Sequence, residues 1–193
     1  MWSRTVPSAV TAGVLAVVGA LALSTPSAAD GGHKIRMLDD CDPASFNAAL
    51  GDPNACVTPH GQGHDHTTID EFVTELQATQ QAAAWKFKPS MLATRAGRPV
   101  ILENRGGETH TFTMVKAFGG GFVPFLNQLS GNPDPADECV NPDNSEVPAA
   151  PSPTNVFVAA GAEEAFSTAG LSPGTYMFEC CIHPWMRVVL TVR

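Results

Sequence analysis

Cys180, His183 and Met186 stand three residues apart near the end of the chain, in Glu179-Cys180-Cys181-Ile182-His183-Pro184-Trp185-Met186. A thiolate, an imidazole and a thioether within seven residues make a soft-to-borderline donor set. Such a set favours copper over magnesium, calcium or manganese. A second imidazole would complete a trigonal site, two His and one Cys in a rough plane with Met as a long, weak axial ligand. His110 is the candidate. It lies about seventy residues upstream in a strand-like segment, just past Gly106-Gly107, and only His183 shares the strand-forming half with it. A single His in a strand is more often structural, so the weight of His110 comes from its pairing with the Cys-x-x-His-x-x-Met run.

The cysteines agree with this reading. Five are present, so a metal-bound Cys180 leaves Cys41, Cys56, Cys139 and Cys181, an even number able to form two disulfides. Oxidising compartments permit such bonds, and the N-terminus reads as an export signal. Arg4 is followed by the apolar run Ala9 to Leu23 and by Ser27-Ala28-Ala29, small residues suited to cleavage. The run is about fifteen residues, shorter than the roughly 20 of a spanning helix, so residues 1–29 are expected to be a cleaved signal peptide. No transmembrane segment is expected after cleavage. The remaining chain carries ten basic and 19 acidic residues, a net charge of −9. That excess argues against nucleic-acid binding and is compatible with a basic protein partner.

The elements that must position the ligands read mostly as strands. Trp85-Lys86-Phe87-Lys88, Met91 to Arg95, Val100 to Asn104, Thr109 to Val115, Asn155 to Ala159, Glu164 to Thr168 and the flanks of the Cys-His-Met loop alternate or cluster apolar residues between Gly/Pro turns. About seven short strands without alternating helices indicate a sandwich or barrel. Residues 30–82 are expected to be an N-terminal extension, irregular over 30–67. Thr68-Ile69-Asp70-Glu71 is a capping box opening a short helix from about Ile69 to Gln80. Cys41 and Cys56 bracket a short segment, and a bond between them would close a loop of about 15 residues. His60, His64 and His66 form a Gly-rich cluster that could hold a second metal or simply be solvated. Residues 118–153 make a long, Gly- and Pro-rich inserted loop, and a loop of that length is functional or tied down.

Asn104-Arg105-Gly106-Gly107-Glu108-Thr109-His110-Thr111-Phe112, taken with Tyr176 to Val192, resembles the cupredoxins, the plastocyanin/azurin class of blue copper proteins. The resemblance covers roughly Trp85 to Arg193, within an expected domain of residues 83–193. It implies an all-β, Greek-key cupredoxin β-sandwich, one type 1 copper ion and one-electron transfer. It also implies His110, Cys180 and His183 as equatorial ligands, with Met186 axial. The sequence departs from the family in three ways. Thr111 stands where the family commonly has an Asn that ties two loops together. Cys181 adjoins the ligand; the family spacing to His183 selects Cys180, and strand alternation points Cys181 the other way, where it could meet Cys139. The extension and the long loop have no counterpart in small family members.

The resemblance thus leads to an exported electron-transfer protein rather than an enzyme, since no open coordination position is expected. His183 would be the electron exit, and a redox partner protein would dock near Trp185 and His183, unless Trp185 packs in the core instead. The rival is a copper carrier or store of the cell envelope, favoured by the His60, His64 and His66 cluster. A copper enzyme would need a second strand-His domain, and no such repeat is present.

Overall fold

The structure, a computed structural model, describes residues 33–58 and 66–193. The expected signal segment lies outside these residues, as do His60 and His64.

Two sheets face each other. One is formed by β1 (Lys34–Leu38), β2 (Lys86–Lys88), β4 (Val100–Asn104) and β9 (Glu163–Phe166), in the order β2-β1-β4-β9. The other holds β3 (Met91–Thr94), β5 (His110–Val115), β8 (Asn155–Val158), β10 (Gly174–Glu179) and β11 (Arg187–Val192), in the order β3-β11-β10-β5-β8. The chain crosses between sheets five times, from β2 to β3, β3 to β4, β4 to β5, β8 to β9 and β9 to β10. This is the Greek-key β-sandwich that the family resemblance implies. Strand alternation turns one face of each sheet inward: Val100, Leu102 and Asn104 are buried in β4, and Val188, Leu190 and Val192 in β11. Between the sheets Phe112 stacks on Phe178 at 4.1 Å, and Phe166 meets both edge-on at 5.4 and 5.0 Å. Offset and edge-on ring pairs of this kind add about 0.5–1.5 kcal/mol each beyond their buried area.

The N-terminal extension is part of this sandwich. β1 lies between β2 and β4, antiparallel to the first with Met37 opposite Phe87, and parallel to the second with Ile35 opposite Leu102. Residues 30–67 were expected to be irregular, because a five-residue strand is easily lost among Gly, Asp and Pro. Its inward positions Ile35 and Met37 nevertheless alternate with Lys34, Arg36 and Leu38. After β1 comes α1 (Pro43–Leu50), which starts on Asp42, whose carboxylate accepts the Ser45 N–H at 2.8 Å, and ends on Gly51 at φ 67°. α2 (Ile69–Thr79) opens with the expected capping box: Glu71 N–H donates to the Thr68 hydroxyl, and Thr68 N–H to the Glu71 carboxylate. Phe72 and Leu76, one turn apart, are its buried residues. Phe46 of α1, Phe72 of α2 and Trp85 pack together at 4.5–5.9 Å, so both helices are fastened to one end of the sandwich.

Both suspected disulfides are present, Cys41–Cys56 and Cys139–Cys181. In the chain-entropy picture, loops of these lengths contribute about 3 and about 4 kcal/mol. The inserted loop is not structureless. It contains α3 (Pro124–Leu129), a 3-10 turn at Asp137–Cys139 and the hairpin β6 (Val140–Asn141) with β7 (Asn144–Pro148). Arg187 binds it to β11, donating to Gly119 O at 3.3 Å and Asn132 Oδ1 at 2.7 Å and lying over the Phe118 ring. Among the described residues no helix is long and apolar enough to cross a membrane.

Candidate metal centre

His110 is the first residue of β5, and Cys180 follows the last residue of β10, its antiparallel neighbour. The sheet therefore brings together two residues that are seventy apart in sequence. His110 Nδ1 lies 3.8 Å from Cys180 Sγ, and His183 Nδ1 lies 3.8 Å from the same sulfur. The three donor atoms all fall within 4.8 Å of one another, and all three residues are buried. Cys180 is the one free cysteine of the five, as the cysteine parity requires.

The loop that carries the other ligands is held by its own backbone. Cys180 N–H donates to Met186 O at 3.0 Å and Met186 N–H to His183 O at 2.9 Å. Met186 is buried beside these residues. Cys181 packs in a separate cluster from Cys180 and is held in its bond to Cys139, which leaves Cys180 as the thiol that faces the histidines.

The donors fit a metal ion. With bond lengths of about 2.0 Å to nitrogen and 2.3 Å to sulfur, a nitrogen–sulfur separation of this size corresponds to an angle of about 120° at a shared ion. Both histidines meet that condition, which suits a trigonal His2Cys plane. The thiolate is prepared for the role. Burial pushes the Cys180 thiol up, but hydrogen bonds from His110 and His183 and their charge outweigh burial and hold it well below its ordinary value. Thr111 N–H also points at Cys180 Sγ, at 3.4 Å, the kind of contact that tunes a copper thiolate.

Thr111 ties segments together around the site. Its Oγ1 accepts the Cys181 N–H at 2.7 Å, and the Thr113 hydroxyl, 3.0 Å from it, lies 2.7 Å from Asn155 Oδ1. This polar chain joins the ligand loop, β5 and β8 inside the core. Asn104 secures the other side of His110, donating to Glu108 O and Val158 O and accepting the Gly106 N–H.

Two further residues belong to the site and were missed in the sequence. Asp39, fully buried, lies 2.8 Å from His110 Nε2 and accepts the backbone N–H of Gly107 at 2.8 Å and of Glu108 at 3.2 Å. Burial pushes its carboxyl up, but the His110 hydrogen bond and charge and these N–H groups bring it below the usual carboxylate range. Glu108 lies 3.4 Å from His183 Nε2 and accepts the Trp85 Nε1–H. Burial alone would lower both histidines. The Asp39 and Cys180 contacts instead raise His110 to about 9, and the Glu108 charge with the Cys180 contact raises His183 to about 10. The Gly106-Gly107 turn must be glycine here, since a side chain at Gly106 would run into the Asp39 carboxylate and one at Gly107 into Val57 O and the Cys41–Cys56 bond. A signal for Asp39 does exist in the sequence. Ile35, Met37, Asp39 and Cys41 continue one alternation, and all four are buried, so an acid falls on the inward face. Glu108 carries no such signal.

His183, expected to be the electron exit, is 1% exposed. Phe72 of α2 meets it edge-on at 6.5 Å, Trp85 approaches to 6.5 Å and Trp185 to 5.5 Å. The helix of the extension lies over what would otherwise be the exposed imidazole edge. Of the suspected second metal cluster, only His66 falls in the described residues; it pairs with Asp40 at 2.9 Å.

No protein-family model matches the chain, and no curated protein matches it. Solved structures do. A purple cupredoxin from Nitrosopumilus maritimus is 13% identical, with a TM-score of 0.40, over 83% of this chain and 98% of that one. A mutant of amicyanin in the Cu(I) form is 15% identical, with a TM-score of 0.34, over 56% of this chain and 73% of that one. Oxidised plastocyanin from Dryopteris crassirhizoma is 19% identical, with a TM-score of 0.33, over 56% of this chain and 89% of that one. The chain is similar in fold to these cupredoxins, at low identity.

Proposed function

We propose that this chain is an exported type 1 copper protein that carries single electrons. One copper ion would be held by His110 Nδ1, Cys180 Sγ and His183 Nδ1, with Met186 as the weak axial ligand. The observation that carries the reading is the buried trio itself, two imidazole nitrogens each 3.8 Å from one unpaired thiol. Copper bound there supplies the one-electron chemistry, Cu(II) to Cu(I).

The protein's part is to hold the donors still and dry. Cu(II) prefers tetragonal nitrogen and oxygen ligation, whereas Cu(I) accepts thiolate and thioether. A ligand set anchored by two strands, a disulfide and a backbone-bonded loop moves little between these preferences. The burial of His183 shifts the exit for the electron to the ring cover. The partner protein then docks over the half-buried Trp185 and the outer face of α2 rather than on a bare imidazole. Two disulfides beside a free, metal-facing thiol support an oxidising compartment. A carrier or store of copper would use the same ligands, but it needs easy exchange, which this enclosed site disfavours.

The test is the visible spectrum of the Cu(II)-loaded protein. An intense thiolate-to-copper band is expected, lost in Cys180→Ser and kept in Cys181→Ser. A colourless wild-type protein, or loss of the band in Cys181→Ser alone, refutes the assignment. Slow copper loss to a chelator supports the electron carrier, and rapid loss the copper carrier.

A further inference from the structure

We propose that Asp39 and Glu108 are positioning residues for the copper ligands, each holding one imidazole by its Nε2–H and drawing the site toward Cu(II). The inference rests on the copper reading above and adds to it the part played by the extension and the β4–β5 turn. Asp39 lies in the segment after β1, far from the ligand loop in sequence. It faces His110 Nε2 at 2.8 Å from within the core. Its oxygens also accept the N–H groups of Gly107, Glu108 and Cys41, so it is itself held in place. An ionised carboxylate only accepts hydrogen bonds; Nε2 of His110 therefore carries a proton whatever the state of Nδ1, and Nδ1 is the nitrogen that faces Cys180. Glu108 stands at ion-pair distance from the second histidine, 3.4 Å from its Nε2. It is aimed at His183 Nε2 by the Trp85 indole N–H, which it also accepts.

The two carboxylates come from different segments and converge on equivalent atoms of the two histidines. A carboxylate on the far nitrogen raises the basicity of a ligating imidazole, and loss of such a partner commonly weakens metal binding about 10–100-fold. More basic nitrogen donors favour Cu(II), the form that prefers nitrogen ligation. The reduction potential is thereby set low.

The experiment uses the full copper-loaded protein. Asp39→Asn should weaken Cu(II) binding at least about tenfold more than Cu(I) binding, and the potential should rise by about 59 mV for each tenfold selective loss. Glu108→Gln should move it the same way by less, since Glu108 is farther from its imidazole, at 3.4 Å. Asp40→Asn breaks the neighbouring pair with His66 and should leave the potential where it was. Nitrogen-15 NMR of the unsubstituted Cu(I) protein should place a slowly exchanging proton on Nε2 of both histidines. This measurement needs no variant to fold. A protein that shows the thiolate band but keeps its potential in both carboxylate variants, or bears no Nε2 proton on His110, overturns this inference and leaves the copper reading standing. A wild type without the band overturns the copper reading itself.

Discussion

At the scale of single residues, the site depends on polar groups that have no room to be left unpaired. Thr111 is the clearest case. It occupies the place where cupredoxins commonly have Asn, and its hydroxyl accepts the Cys181 N–H in the core. Thr111→Val keeps the shape and removes the acceptor, leaving a buried N–H without a partner, which costs about 1–3 kcal/mol. Urea unfolding should show a midpoint lowered accordingly. An unchanged midpoint would mean that the tie does not hold the loop. The proposed ligands His110, Cys180, His183 and Met186 could be picked out by residue type and spacing, because ligand chemistry restricts the choice to few residues. Asp39 left only its place on the inward alternation after β1, and Glu108 left nothing, because acids are common in the chain and only folding distinguishes the one that meets an imidazole from its neighbour Asp40.

At the scale of elements, α2 changes what the ligand loop can do. Its capping box and the spacing of Phe72 and Leu76 were legible in the sequence. Which surface it covers was not, since an apolar stripe does not name its partner. The helix sets Phe72 against His183, Trp85 and Trp185. Phe72→Ala should cost about 3–5 kcal/mol by the usual reckoning for a buried ring. It should also open the imidazole edge, so copper loss to a chelator should accelerate at least several-fold. If copper leaves at the wild-type rate, the helix is not the cover. The inserted loop shows the same division. Its length and its Cys139 could be read from sequence, whereas Arg187 reaching across to Gly119 and Asn132 required the fold.

At the scale of the whole molecule, the extension is a structural member. β1 is an inner strand, and without it β2 loses its neighbour and β4 one edge of its ladder. Asp39 follows β1 directly, so the segment that completes the sheet also delivers a carboxylate to the centre. A chain beginning at residue 83 should therefore show no cooperative unfolding transition by circular dichroism. A sharp transition would show that the sandwich from β2 onward folds unaided.

By itself the sequence determined the strand-rich class, the parity of the cysteines and the helix start at Thr68, and it singled out the proposed donors. Each of these rests on short-range chemistry or periodicity, which survives in a linear string. Tertiary structure alone decided that His183 is covered, that the extension enters the sheet and that two carboxylates stand behind the histidines. These are contacts between segments tens of residues apart. They form because burying Ile35, Met37, Phe46 and Phe72 against the sandwich removes apolar surface from water. No local pattern encodes which distant face will accept them.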